Sequence, residues 1–187
     1  MCGKLVSEVS TMRRIGCMCV LVLVSGVAMG QAPAATPAAS GPAAEVQRSY
    51  AAVKKNILKS ADEMPAESYA YKPEPDIRTY ARVINHVAEA QFRSCGIVNG
   101  VKDIAKPPAD TADKAAIVEA LNASFAECDK AFAALTDANV LEMFSLGQAK
   151  RSRIGLMWGT VAHGQEQYAT LALYLRLKGL APPSSEK

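Results

Sequence analysis

Histidine is scarce in this chain of 187 residues: only His86 and His163 occur, so imidazole chemistry has two positions at most. An excess of charge of either sign is also missing, since 21 Lys and Arg face 18 Asp and Glu. So even a balance lacks the basic stripe that nucleic acid requires, and none is expected as a partner. No Gly-rich phosphate loop, Walker motif or strand-turn-helix nucleotide fingerprint is present. No Ser-His-Asp or Cys-His grouping supports nucleophilic catalysis without a metal. Strand-like alternation is almost absent, which argues against a domain built on a sheet.

The longest charge-free apolar run, residues 15–29, follows Lys4, Arg13 and Arg14 and ends in Ala28-Met29-Gly30, with small residues where a signal peptidase reads. Its fifteen or so residues fall short of the ~20 that span a bilayer. Residues 1–30 therefore read as an export signal, placing the protein in the periplasm or outside the cell, with no transmembrane segment once the signal is removed. The Arg13-Arg14 pair fits ordinary leader charge better than a twin-arginine signal. Cys17 and Cys19 lie inside the apolar run, not after it, which argues against a lipid-anchored cysteine. Residues 31–44, rich in Ala and Pro, read as an extended tether. Losing the leader removes three basic and one acidic residue, leaving 18 against 17.

Four amphipathic segments follow in residues 45–187. Val46, Tyr50, Val53, Ile57 and Met64 share one face of a first helix, which Pro65 closes. A Pro-rich loop, capped at Asp76 or Thr79, leads into a second helix carrying Tyr80, Ile84, Val87, Gln91 and Val98, with His86 leaning inward. The third, capped at Asp110 or Thr111, has Val118, Leu121, Phe125, Cys128, Phe132 and Leu135 at alternating spacings of three and four. The fourth carries Met157, Val161, Gly164, Tyr168, Leu171 and Leu175 as core, and a neighbouring stripe places His163 and Gln167 one turn apart. Gly179 and Pro182-Pro183 end it near Lys178. Residues 137–150 read as a connector folded over one end. The fold class is all-α, a four-helix bundle.

Beyond the leader only Cys95 and Cys128 remain, and an oxidising compartment makes a bridge between them reasonable. Each lies about 25 Å along its helix at 1.5 Å per residue. Level cysteines require the second and third helices to run parallel, joined by a crossover that travels back along the bundle; antiparallel helices would hold them ~20 Å apart, beyond an S–S bond. The alternative is that both are small buried core residues.

The two histidines face inward from separate helices, and bundles build metal sites from such side chains. A typical catalytic zinc needs a third protein ligand. The run YAYKPEPDIRTYARVINHVAEAQ together with VAHGQEQYATLALYLRLKGLAPPSS resembles the DinB-like (DinB/YfiT) family of metal-dependent enzymes over residues 45–184. That resemblance implies an up-down-down-up bundle with a long crossover between helices two and three. It also implies a metal site of one His on the second helix and two on the fourth, spaced four apart. His86 and His163 match the first two positions, and Gln167 stands where the family pattern has His. An amide oxygen is a poor ligand for a borderline metal. Glu89 and Glu166, each three residues beyond a His, are the substitute ligands within reach. Neutral imidazole suits a divalent metal such as Zn, Ni or Fe, and the resemblance implies metal-dependent transfer of a low-molecular-weight thiol, as in bacillithiol transferases and mycothiol-dependent maleylpyruvate isomerases. Two readings stay open: an exported metal-dependent transferase or hydrolase with a degenerate His-His-Gln site, or a non-catalytic envelope bundle that has lost its metal and binds a small molecule or partner. A homodimer is compatible with either.

Overall fold

The computed structural model describes residues 40–185. The leader and residues 31–39 of the tether lie outside the described residues. Helix α1 spans Pro42–Glu63, α2 Tyr80–Val98, α3 Lys114–Ala133 and α4 Arg153–Leu177. None of the described helices is long and apolar enough to cross a membrane.

Helix α1 starts three residues earlier than its apolar pattern suggests. Pro42 occupies the first turn, where its missing N–H costs nothing and its fixed φ suits the helix. Gly41 precedes it at a φ of 107°, and Ala43 N–H donates to Asp137 Oδ1 at 2.9 Å. The tether thus yields Pro42–Ala44 to the bundle because a side chain from the far connector caps the helix. Thr79 caps α2, accepting from Arg82 N–H at 3.1 Å. For α3 the cap is Asp113, which accepts from Ala116 N–H at 2.8 Å, not Asp110 or Thr111. Asp110 is engaged elsewhere, accepting from Asn85 Nδ2 at 2.8 Å.

Cross-helix contacts fix the directions. Asn85 meets Asp110, Gln91 meets Ser124, and Asn99 meets Glu127, so position rises together along α2 and α3 and the two are parallel. Gln47 meets Phe132 while Lys114 meets Asp62, making α1 and α3 antiparallel. Ser94 meets Thr160 while Arg78 meets Tyr174, so α4 also runs against α2. The order is up-down-down-up, an all-α four-helix bundle. Residues 99–113 form the crossover and lie back along α2, where Pro108 O accepts from Asn85 Nδ2 at 3.0 Å. Cys95 and Cys128 form a disulfide with Cα atoms 5.0 Å apart.

The core follows the helical stripes, with one shift of register. On α3 it is Ile117 that is fully buried, while Val118 is partly exposed. The α1–α3 seam is aromatic: Tyr50 stacks on Phe132 with centroids 3.8 Å apart, and its hydroxyl donates to Asp129 at 2.8 Å. Burial, together with that carboxylate, pushes the Tyr50 phenol well above its ordinary range. The connector differs from the all-helical expectation. Met143–Leu146 and Ala149–Ser152 pair antiparallel as strands β1 and β2, joined through Gly147 and Gln148. Gly147 has a φ of 65°, the left-handed geometry that two-residue hairpin turns demand. Both strands are largely exposed, so neither shows the apolar alternation by which half-buried strands are recognised. Arg153, at the start of α4, pairs with Glu142 and lies 5.0 Å from the Phe144 ring centroid, fixing the hairpin base against the bundle.

Candidate functional site: a histidine pair beside a pocket

Because α2 and α4 are antiparallel neighbours, inward residues from the middle of each can meet. His86 Nε2 and His163 Nε2 lie 3.1 Å apart, with ring planes at 70°. Two neutral imidazoles at that distance share one proton, one nitrogen donating and the other accepting. Glu89 Oε2 stands 3.7 Å from His86 Nδ1, on the opposite edge of that ring. Its charge favours the tautomer with the proton on Nδ1, which leaves the His86 Nε2 lone pair directed at His163. Glu89 is itself held by Arg82 through bonds of 2.7 and 2.9 Å. Those bonds above all hold the Glu89 carboxyl below its usual range. Burial, reinforced by the facing His86, lowers the pKa of His163 and favours its neutral form.

The other candidate ligands fall differently. Gln167 is buried, only 6% exposed, one turn beyond His163. Glu166 is exposed, acting on His163 through charge that partly opposes the effect of burial. As a substitute ligand Glu89 does not fit the shared face: both its oxygens are committed to Arg82 and it flanks Nδ1, not Nε2. Among the described residues no group of three or more His, Cys, Asp or Glu side chains could hold a metal ion.

Two ligands of one ion at ~2.0–2.1 Å lie roughly 3.0–3.4 Å apart when they subtend ~95–110°. The observed 3.1 Å fits that separation, so the imidazole pair suits a divalent ion as two of its ligands. It does not make a three-ligand catalytic centre, because the third strong donor is missing.

A pocket of about 200 Å³ opens on His163. Val87, Ala90 and Gln91 of α2 form one wall and Gly155, Gly159 and Thr160 of α4 the other, with Leu146 and Arg151 of the hairpin at its edge. Sequence reasoning missed the hairpin's part in this, and also Arg82. A signal existed for each: Arg82, His86 and Glu89 recur at four and three residues along one helix face, and a Gly-Gln pair separates MFSL from AKRS.

A family model described as the DinB superfamily matches residues 30–171. Among solved structures, a DinB-like protein from Bacillus cereus ATCC 10987 superposes with a TM-score of 0.61 at 15% identity, covering 74% of this chain and 93% of that one. A DinB-like protein from Bacillus subtilis gives 0.57 at 12%, covering 72% and 92%. No curated protein matches. With the family match running through all four helices as far as Leu171, and the same bundle seen in those structures, this chain belongs to the DinB superfamily.

Proposed function

We propose that this DinB-superfamily domain acts outside the cytoplasm, binding a small molecule in the pocket beside His163, and that His86 and His163 hold a divalent ion such as Zn, Ni or Fe weakly next to it. The observation that carries this reading is the 3.1 Å approach of the two Nε2 atoms at the edge of that pocket. A divalent ion bound there would acidify a thiol or water and so supply a nucleophile at neutral pH, in keeping with transferase- or hydrolase-type chemistry. The protein's own part is positional. Glu89, braced by Arg82, orients the His86 ring, and the half-buried setting of His163 favours a neutral imidazole able to act as a ligand or proton acceptor. The apolar leader and the Cys95–Cys128 bridge support an oxidising, extracytoplasmic setting.

Elemental analysis after loading with Zn or Ni tests the metal part. Wild type is expected to retain less than one equivalent, and His163→Ala none. Gln167→His, restoring the third imidazole of the family pattern, is expected to tighten binding at least tenfold. A wild-type protein that keeps no metal leaves the second reading, a metal-free binding bundle, which the weak donor at Gln167 favours.

A further inference from the structure

Glycine inside a helix is less favourable than alanine by ~0.5–1 kcal/mol, so a helical glycine calls for a physical reason. Gly164 has one, since a Cβ there would lie 3.2 Å from Val53 of α1, where the two helices approach closely. Gly159 has none of that kind: a Cβ would meet nothing within 4 Å. Gly155 lies one turn before it and His163 one turn after, forming a ridge on which two successive positions carry no side chain. The pocket fills that space. Gly159, exposed at the surface and lining the pocket, therefore leaves the cleft open and takes no part in the packing.

Besides His163, the polar side chains around this mainly apolar cleft are Gln91, Arg151, and Ser94 and Thr160, which bond to each other at 3.0 Å. Gln91 is 4% exposed, and its carboxamide oxygen is paired with Ser124 Oγ at 2.7 Å. Its amide nitrogen makes no hydrogen bond among the described residues, and the residue lines the pocket. At the mouth stands Arg151 of β2, exposed and without an ion-pair partner among the described residues. Its strand neighbour Phe144 and the hairpin ladder hold the backbone that presents it. A guanidinium fork at the rim of an apolar slot suits one planar anion joined to a hydrocarbon body.

We propose that the pocket takes a short monocarboxylic acid, its carboxylate on Arg151 and its apolar body lying over Gly155 and Gly159 toward His163. This rests on the reading of the pocket as the ligand site. At about 200 Å³ the space is below the ~300–1,000 Å³ of sites for drug-sized ligands, which limits the acid to a short chain or a single ring. The Gln91 amide supplies a second donor within the cleft.

The test titrates the full chain, kept metal-free with chelator, with hexanoate and benzoate and with their neutral counterparts hexanamide and benzamide, following chemical shifts by NMR. The acids are expected to shift resonances of the pocket residues and to bind at least tenfold more tightly than the amides. Arg151→Gln should erase that difference by weakening the acids to the level of the amides. Gly159→Leu should abolish binding of both while thermal unfolding stays cooperative; if it does not fold, Ala90→Leu on the facing wall is the second block. Amides that bind wild type as well as the acids do would overturn the acid proposal and leave the pocket reading standing. Unchanged acid binding to Arg151→Gln would overturn the assignment of the carboxylate. If neither class binds, or if binding persists with the slot blocked by both routes, the proposal and the pocket reading fall together.

Discussion

The two seams that α2 makes in this bundle are built on opposite plans. Toward α3 and the crossover that leads into it, the helix is locked along its length: Asn85 on Asp110 and Pro108 of the crossover, Gln91 on Ser124, Cys95 bonded to Cys128, and Asn99 on Glu127. Toward α4 the polar contacts are sparse, with Ser94 on Thr160, the histidine pair, and Arg78 on Tyr174. The pocket opens along this seam, past the first of these contacts, from the hairpin to His163. The difference teaches that a small bundle can keep a cleft open along one seam when the neighbouring interface carries the rigidity. Glycine at position 159 keeps one side clear, and the disulfide keeps the opposite side from yielding.

Breaking the locked seam should have the largest effect. Replacing Cys95 and Cys128 together by Ala removes a bridge across a separation of 33 residues. That loss is expected to cost ~3.7 kcal/mol in the chain-entropy account. Denaturant unfolding measures it, with mass spectrometry before and after reduction establishing that Cys95 and Cys128 are bridged in wild type. A cost below ~0.5 kcal/mol would show that the polar contacts alone hold α2 to α3, and the contrast between the seams would lose its basis. Gly159→Ala probes the open seam. With free space at that Cβ, it should raise stability by ~0.5–1 kcal/mol, because only helix propensity changes. A loss of stability would mean that the wall is already in contact there.

The smallest effect concerns acid. His163 has a folded-state pKa below its ordinary value of 6.5, so the folded protein binds that proton less readily than the unfolded chain does. Its contribution to stability is complete above about pH 6.5 and declines as pH falls through that value toward the lowered pKa. Unfolding curves of metal-free protein between pH 7.5 and 5 should show this decline, and His163→Gln should flatten it. An unchanged slope in the variant would assign the acid sensitivity elsewhere.

Most of the bundle was legible because its information is periodic. Val46 to Met64, Tyr80 to Val98 and Met157 to Leu175 declare their inner faces at helical spacing, and their core positions are buried apart from the partly exposed Tyr168. The convergence of His86 and His163 was legible for the same reason, since both sit on inward stripes. Several features were not, and each depends on contacts between residues distant in the chain. The start of α1 at Pro42 depends on Asp137, 94 residues from Ala43. On α3, Ile117 and Val118 are adjacent and alike, and only the partner helix decides which is buried. The hairpin has exposed strands, so its pairing rests on a Gly147 turn and backbone ladders that leave little trace in hydrophobicity. Glu89 was read as a spare ligand from its spacing to His86, whereas Arg82, a further turn back on the same face, holds it on the other edge of the ring.

The Asp137 cap on α1 also has a mechanical side. A Cβ at Gly41 would fall 2.1 Å from the Asp137 carboxylate, so the chain enters the domain at a clamped point where the backbone is pressed against the connector after α3. Force applied through whatever precedes Gly41 would therefore reach the α3–α4 connector before it could peel the first turn of α1. A domain held by its leading segment would take the load across two elements at once.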